Sequence, residues 1–358
     1  HKDQWRILEK GFNPDNVKSS ESIFSIGNGS MGQRANFEEQ YTGPTFQGSY
    51  IGGVYYPDRT RVGWWKNGYP EYFAKVLNSC NWIGIGIEVE SQVLDLSKID
   101  IKSFYRELNM QTGVLTRHFT CKLQDGKEVE VKSIRFCSMD NDELAAISYS
   151  ITPINFSGNI KFTPYLDFDV RNQDANYGDM FWEEISRNVG VKKGFVCAKT
   201  KKTNFQVAVA MNYTFSADGE DQQISPNEVD RELYVENNFE SNVYQGRTYT
   251  INKYISLISS IHHSDLSLSE RAVSRANKAK EYGFDQLIEN HKEAWGNIWR
   301  NADIQIKGDV SAQQAIRFNI FHLYQTYTGK NVKLNIGPKG FTGEKYGGCL
   351  LYTSDAAD

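Results

Sequence analysis

Between Asn81 and Tyr254 apolar residues either alternate with polar ones or fall in short runs broken by Gly, Asn, Asp and Ser. Gly113–Phe119, Glu128–Val131 and Leu144–Ile151 read as strands, as do Phe195–Ala198, Phe205–Met211 and Tyr254–Ile258. Ser133-Ile134-Arg135-Phe136-Cys137 and Asn159-Ile160-Lys161-Phe162 alternate strictly, which predicts antiparallel sheets with one wet face. So many strands predict a large two-sheet sandwich. At about Ser264 the period changes. Ser269–Tyr282 reads as a polar helix stopped by Gly283, and Phe284–Asn301 as a second, with Leu287, His291, Trp295 and Ile298 on one face. The pair reads as a connector, and His291 as a hydrogen-bonded interface residue and not a catalyst. A strand-like bridge, Asp303–Lys307, precedes a third helix over Ser311–Tyr327. There Ser311 and Gln314 have the spacing of a capping box, and Ile316, Ile320, Leu323 and Tyr327 form an apolar stripe with Phe318, Phe321 and Tyr324 beside it. One such helix cannot bury itself, so it is expected to belong to a helical domain.

Two stretches break the pattern. Residues 337–348, Gly-Pro-Lys-Gly-Phe-Thr-Gly-Glu-Lys-Tyr-Gly-Gly, suit neither helix nor strand and read as a shaped loop on a rigid scaffold, the place where binding residues tend to sit. Near the N-terminus, Asn13-Pro14-Asp15 signals a turn, Ile23-Phe24-Ser25-Ile26 a short strand, and Gly27-Asn28-Gly29 a backbone at positive φ. Glycines 27, 29 and 32 have Gly-x-Gly-x-x-Gly spacing, but no helix opens within them and no βαβ unit surrounds them, so a dinucleotide site is rejected. The Gly-, Pro-, Tyr- and Trp-dense segment from Gly43 to Glu71 predicts an ordered excursion that packs on a neighbouring domain or rims a pocket.

Composition narrows the class. The 358 residues suffice for a sizeable core, and the 20 Tyr, 20 Phe and 7 Trp suit a large β-domain or a protein that handles flat hydroxylated ligands. A formal net charge of -4 without a basic block argues against nucleic acid. No apolar run is long enough to span a membrane, and no signal peptide is visible, although the chain opens on His1 and not Met. The five cysteines lie at long, irregular spacing with no Cys-x-x-Cys pair, and read as buried, reduced thiols. His262-His263 reads as a strand end and not a metal site.

Glu21–Gly32, Arg34-Ala35-Asn36-Phe37-Glu38-Glu39, Gly52-Gly53-Val54-Tyr55-Tyr56, Ala315-Ile316-Arg317-Phe318-Asn319 and above all Gly340-Phe341-Thr342-Gly343-Glu344-Lys345-Tyr346 resemble glycoside hydrolase family 65, and within it the maltose phosphorylases. The resemblance covers residues 5 to 348. It implies a mainly β fold: an N-terminal β-supersandwich over 1–265, a helical linker over 266–302, and the first helix of a truncated (α/α)6 catalytic barrel over 303–348. The final ten residues, 349–358, depart from the family and look like a translated sequencing adapter, which would strike Cys349 from the cysteine count. The activity implied for the parent enzyme is inverting phosphorolysis of an α-linked glucose disaccharide, giving β-glucose 1-phosphate and glucose. Inorganic phosphate is then co-substrate, with no metal and no organic cofactor, and the parent is a cytoplasmic homodimer. The family's general acid and its Trp-Asp-x-Glu sugar grip lie past residue 348, so the 358-residue chain is expected to be inactive. A hydrolase parent of kojibiose or trehalose type, and a non-catalytic carbohydrate-binding or oligomerisation module, are the alternatives.

Few site candidates fall within the chain. Arg317 either hydrogen-bonds a sugar hydroxyl or orients a carboxylate, or else forms a salt bridge that holds its helix. Lys339, Phe341 and Tyr346 are candidates for the mouth of a sugar pocket. Glu344, beside Lys345, is a candidate there too, or part of a solvated or loop-fixing pair.

Overall fold

The computed structural model describes residues 3–59, 72–173, 180–263, 267–331, 334 and 339–344. Its core is a sandwich of two antiparallel sheets. The larger sheet runs in the order Arg6–Lys10, Asp100–Asn109, Val114–Lys122, Glu128–Cys137, Leu144–Pro153, Tyr249–Ser259, Gln206–Ala217, Lys193–Thr200, Trp182–Gly190, with Glu220–Asp221 paired to the side. The smaller sheet runs Asn227–Arg231, Tyr234–Val243, Gly158–Asp167, Ile85–Val89, Gln92–Val93. Phe162 and Phe239 of the smaller sheet meet Phe215 of the larger with ring centroids 5.0 and 4.9 Å away, so an aromatic layer fills much of the gap.

The predicted sandwich is therefore present, and Asp100–Asn109, Val114–Lys122 and Gly158–Asp167 keep the expected alternation with one solvent-reached face, but part of the larger sheet's outer face is covered. A long helix, Leu268–Ala302, lies across it and turns at Gly283, where φ is 78°. The helix break expected at Gly283 occurs there because only glycine takes that conformation without strain. Before the turn, Ala272 and Ala276 pack on Cys197, Ala208 and Ala210, small residues on both sides that let helix and sheet come close. After it, Phe284, Leu287 and Ile288 pack on Val114, Phe136, Leu144 and Tyr254. The alternation at 133–137 thus has the opposite sense from the one expected. Ser133 and Arg135 point inward, and Phe136 faces the helix. A period of two fixes that neighbours face opposite ways without saying which face is covered.

The inward polar row crosses several strands. Arg106 pairs with Arg117, Arg117 with Ser133, and Ser133 with Tyr149 in register. Over this row lies the segment after Met31–Gln33, not the smaller sheet. Arg117 donates to Glu38 Oε2 (2.6 Å) and Glu39 Oε2 (2.7 Å), while Arg135 donates to Glu38 Oε1 (2.8 Å) and the Asn36 carbonyl (2.8 Å). Burial alone would raise the Glu38 carboxyl, but Arg135, Arg117 and the Ser133 hydroxyl together hold it down at about 2.

Elsewhere the sandwich is tied by single cations and imidazoles. Lys253, fully buried, donates to the carbonyls of Trp82 (2.7 Å), Gly84 (2.9 Å) and Tyr165 (2.7 Å), and burial pushes its amine down to about 7. His291 joins the long helix to the sandwich as expected. Its Nδ1 accepts from the Met139 amide (3.0 Å), so Nε2 carries the proton and donates to the Gly113 carbonyl (3.1 Å). Gly113 has φ 66°, and a Cβ there would lie 1.9 Å from Trp295 Nε1. The turn must be glycine for both reasons.

Four local expectations change. Val17–Ile23 is a short helix, α1, entered from the 3-10 turn Pro14–Asn16, so the strand begins only at Ile26. The long helix Leu268–Ala302 is then α2 in chain order. Residues 303–307 form no strand; the Ile306 amide and the Ile304 carbonyl bond the Gln313 side chain instead. The third helix, α3, spans Val310–Thr326 and is capped by Asp309, which accepts from the amides of Ser311 (2.8 Å) and Ala312 (3.1 Å), so Ser311 is not the cap. Its buried face carries Gln313, Arg317, Ile320, Phe321 and Gln325, while Leu323 is 58% exposed. Of the expected apolar stripe, Ile320 and Phe321 are core residues and Ile316, Phe318 and Tyr324 pack on the core, so only Leu323 turns away, while Gln313, Arg317 and Gln325 share the buried face. Cys80, Cys121, Cys137 and Cys197 are buried free thiols, while Cys349 lies outside the described residues. No helix among the described residues is long and apolar enough to cross a membrane.

Two stability measurements test this account. Burial lowers the His291 imidazole to about 4, against about 6.5 when unfolded, so the unfolded chain binds the extra proton between those values. Its contribution is complete above pH 6.5 and falls as pH drops towards 4, by roughly 2 kcal/mol at pH 5. Urea denaturation at pH 7.5 and 5.0 is expected to show this loss, and a smaller one in His291→Gln. Glu38→Gln leaves two buried guanidinium groups short of charge and is expected to cost about 3–5 kcal/mol at neutral pH in the same assay.

Candidate functional site

The two glycine-rich stretches meet. Lys339–Thr342 forms a turn in which the Thr342 amide (3.2 Å) and hydroxyl (2.8 Å) donate to the Lys339 carbonyl. The Phe341 side chain, 6% exposed, lies directly on the hairpin of Ile26–Gly27 and Met31–Gln33. A Cβ at Gly32 would sit 2.2 Å from Phe341 Cβ, and one at Gly27 2.7 Å from its Cδ2. Gly29, at φ 90°, donates its amide to the Gln325 carbonyl at the end of α3 (2.8 Å). Residues with the spacing of a nucleotide fingerprint thus form a flat seat for an aromatic ring and a helix end. The positive φ expected across this turn falls at Gly29; Gly27 is a strand residue.

Beside the seat, Arg34 donates Nη1 to the Thr342 carbonyl, Nε to the Phe46 carbonyl (2.8 Å) and Nη2 to the Lys18 carbonyl (2.8 Å). The fully buried Glu21 carboxylate stands 3.5 Å from Nη2 and accepts from the Phe46 amide (2.8 Å). Ser22 Oγ gives Thr342 O a second donor at 3.1 Å. Glu344, 3% exposed, accepts from the Gln173 amide at 2.7 Å. Between these groups opens a cleft of about 260 Å³ lined by Lys18, Ser22, Arg34, Tyr50, Lys339 and Glu344 among others. It offers cations, hydroxyls, one carboxylate and the Phe46 and Tyr50 rings, a set suited to hydroxylated or anionic ligands. Roomier recesses of about 340 and 560 Å³, near Phe195, Val273 and Asn277, lie where α2 crosses the sheet and bring no carboxylate together with an arginine.

The structure thus brings Lys339, Phe341 and Glu344 together, with Phe341 turned inward as the anchor and the other two at the cleft wall. Tyr346 lies outside the described residues. Arg317 does not line the cleft. It is buried, forks onto both Asp303 oxygens at 2.8 Å, and stacks on Trp5 with its guanidinium carbon 3.6 Å from the ring centroid. Sequence reasoning missed Arg34 and Glu21, because the contact that ties them to the cleft, Arg34 to the Thr342 carbonyl, spans 308 residues. The available signal was the pair of glycines at 27 and 32, whose missing side chains require something to approach closely. Among the described residues no cluster of three His, Cys, Asp or Glu could hold a metal ion. His262 instead approaches Asn331 (2.6 Å) and His263 pairs with Glu143, in the turn after the strand ends at Ser259.

The chain falls in a class of carbohydrate-active enzymes, the glycoside hydrolases. The profile of the glycosyl hydrolase family 65 N-terminal domain matches residues 7–298, that of the family's central catalytic domain matches 317–356, and the chain belongs to family 65. It is 40% identical over 354 residues to a maltose phosphorylase of Bacillus subtilis, a match covering 99% of this chain and 46% of that protein. An α,α-trehalose phosphorylase of Thermoanaerobacter brockii is 34% identical, again over 99% of this chain and 46% of the relative. A solved structure from the human microbiome, provisionally called a kojibiose phosphorylase, superposes with a TM-score of 0.87 at 27% identity, covering 97% of this chain and 45% of its own. The chain spans about half the length of the relatives it matches.

Because Phe341 leaves no room for a methyl group, Gly32→Ala is expected to push the ring off its seat and cost about 1–3 kcal/mol in urea denaturation. Gly296→Ala, in helix α2 with nothing within 4 Å, is the control. It is expected to be neutral or to stabilise by up to about 1 kcal/mol.

Proposed function

We propose that the chain is the N-terminal part of an inverting disaccharide phosphorylase whose substrates are maltose and inorganic phosphate. The observation that carries this reading is the 40% identity with a maltose phosphorylase over 99% of the chain, joined to a family-type loop seated at a polar cleft. In this reading residues 1–265 form the sandwich domain, 266–302 the linker and 303–348 the opening of the catalytic barrel. Lys339 and Glu344 then stand at the mouth of the sugar site with Phe341 as the buried anchor behind them, Tyr346 is proposed as a further sugar-binding residue, and Arg317 supports the first barrel helix. The full enzyme is proposed to be a cytoplasmic homodimer.

The reaction exchanges one acetal bond for another. A carboxylic acid supplied by the catalytic domain protonates the glycosidic oxygen as the C1–O bond breaks, and a phosphate oxygen attacks C1 from the opposite face. The products are β-glucose 1-phosphate and glucose, and no oxidant or metal is needed for the balance. The sandwich contributes shape: its glycine hairpin is the seat on which Phe341 of the loop rests.

The test is to assay the coding sequence continued through its catalytic domain on maltose, trehalose, kojibiose and nigerose, with and without phosphate. Phosphate-dependent release of β-glucose 1-phosphate from maltose, at least about tenfold faster than from the other sugars, is the expected result. Phosphate-independent release of glucose would make it a hydrolase. The 358-residue chain alone is expected to turn over none of the four.

A further inference from the structure

The segment Arg34-Ala35-Asn36-Phe37-Glu38-Glu39 connects the buried ion pairs of the large sheet to the glycine-rich loop, and nothing in the reaction above uses it. The connection is continuous. Arg117 and Arg135 share the Glu38 carboxylate, Arg135 Nη2 donates to the Arg34 carbonyl at 3.1 Å, and the Arg34 guanidinium reaches the Thr342 carbonyl. Arg34 is 4% exposed, and all three of its donor nitrogens have backbone carbonyl acceptors from three separate segments, Lys18, Phe46 and Thr342. The Glu21 carboxylate beside it balances its charge, and the same carboxylate accepts from the Phe46 amide and the Thr45 hydroxyl. A planar fork held from behind in this way fixes both the position and the orientation of its third acceptor. That acceptor belongs to the loop at the cleft wall.

We propose that Arg34 is a positioning residue: it holds the Thr342 carbonyl so that Lys339–Glu344 keeps one shape along the cleft, ready for the sugar. Ser22 shares this task through its hydroxyl on the same carbonyl, and Phe341 on Gly27 and Gly32 sets the loop's depth. The effect on catalysis rests on the phosphorylase reading, whereas the effect on the loop does not. Arg34 touches no reacting atom in this account. Its loss is felt by the disaccharide and not by phosphate, since the loop it holds borders the cleft that the sugar is proposed to enter.

The experiment has two arms, each run on Arg34→Lys and on the milder Ser22→Ala. Arg34→Lys keeps the charge and loses the fork; Ser22→Ala removes one donor from Thr342 O without disturbing buried charge. In the first arm, hydrogen exchange on the 358-residue chain is expected to quicken about tenfold at the amides of Phe341–Glu344, the equivalent of one charge-assisted hydrogen bond, with the Glu128–Cys137 strand unchanged. In the second arm, on the protein continued through its catalytic domain, KM for the disaccharide is expected to rise about fivefold in Arg34→Lys with KM for phosphate unchanged. A loss of folded protein alone would lower the apparent kcat and leave both KM values in place. Unchanged loop exchange in both variants overturns the proposal, as does a disaccharide KM that does not move. A wild-type protein without phosphorolytic activity would defeat the reading of function, and the exchange arm would still decide the role of Arg34 in holding the loop.

Discussion

Two glutamates and two arginines with almost no access to water impose the main constraint on this molecule. Glu38 and Glu39 face Arg117 and Arg135 at 2.6–2.8 Å, each side chain at most 5% exposed. Such a group is a weak source of net stability, because desolvating the charges offsets most of their attraction. Its effect is on geometry. An apolar patch of similar volume would tolerate small shifts, whereas a buried carboxylate shared by two guanidinium forks has few arrangements that leave no charge unpaired. The segment 34–39 is therefore locked to one place on the sheet. Its neighbours are locked with it, the glycine hairpin on its N-terminal side and the turn at Thr45-Phe46 that its Asn36 side chain holds.

On the opposite face the contact is of another kind. Alanines 272 and 276 of α2 rest on alanines 208 and 210 of the sheet with Leu268 and Val273 beside them, and Phe284, Leu287 and Ile288 take over after the helix turns at Gly283. Trp295 then stacks on Phe321 of α3 at 4.7 Å, and Trp299 meets Trp5 edge-on at 4.9 Å. The three layers are thus tied by charge on the inside of the sheet, by close small-residue packing on the outside, and by aromatic rings at the junction with α3. The end of α3 and the loop inherit their position from all three.

Most of the architecture is legible in the sequence. The change from period two to period 3.6 near Ser264 separates strands from helices, and Gly283 divides the long helix because it alone interrupts an otherwise continuous pattern. What is not legible is the sense of the pattern. Ser133 and Arg135 read as solvent-facing because polar residues in alternating strands usually are, and their buried partners come from a segment about a hundred residues away. The same limit hides Arg34, whose acceptor Thr342 is separated from it by 308 residues. The start of α3 is misplaced by a local ambiguity, since Asp309 and Ser311 are both good caps and only the backbone geometry chooses. The candidate site was visible as two glycine-rich stretches, each accounted for separately; that one is the seat of the other depends on tertiary contact.

The seat at Gly27 and Gly32 also orders events in time. A chain leaves the ribosome N-terminus first, and here the receiving surface, the charges that fix it and the last strand of the large sheet, ending at Ser259, all precede Phe341. The loop is synthesised only after its mould can be complete, so it need not find its shape by search among its own many glycine conformations. A glycine-rich segment placed late in the chain, against a surface built early, acquires its order from elsewhere. The glycines that make the loop poor at folding by itself cost little once that surface is waiting.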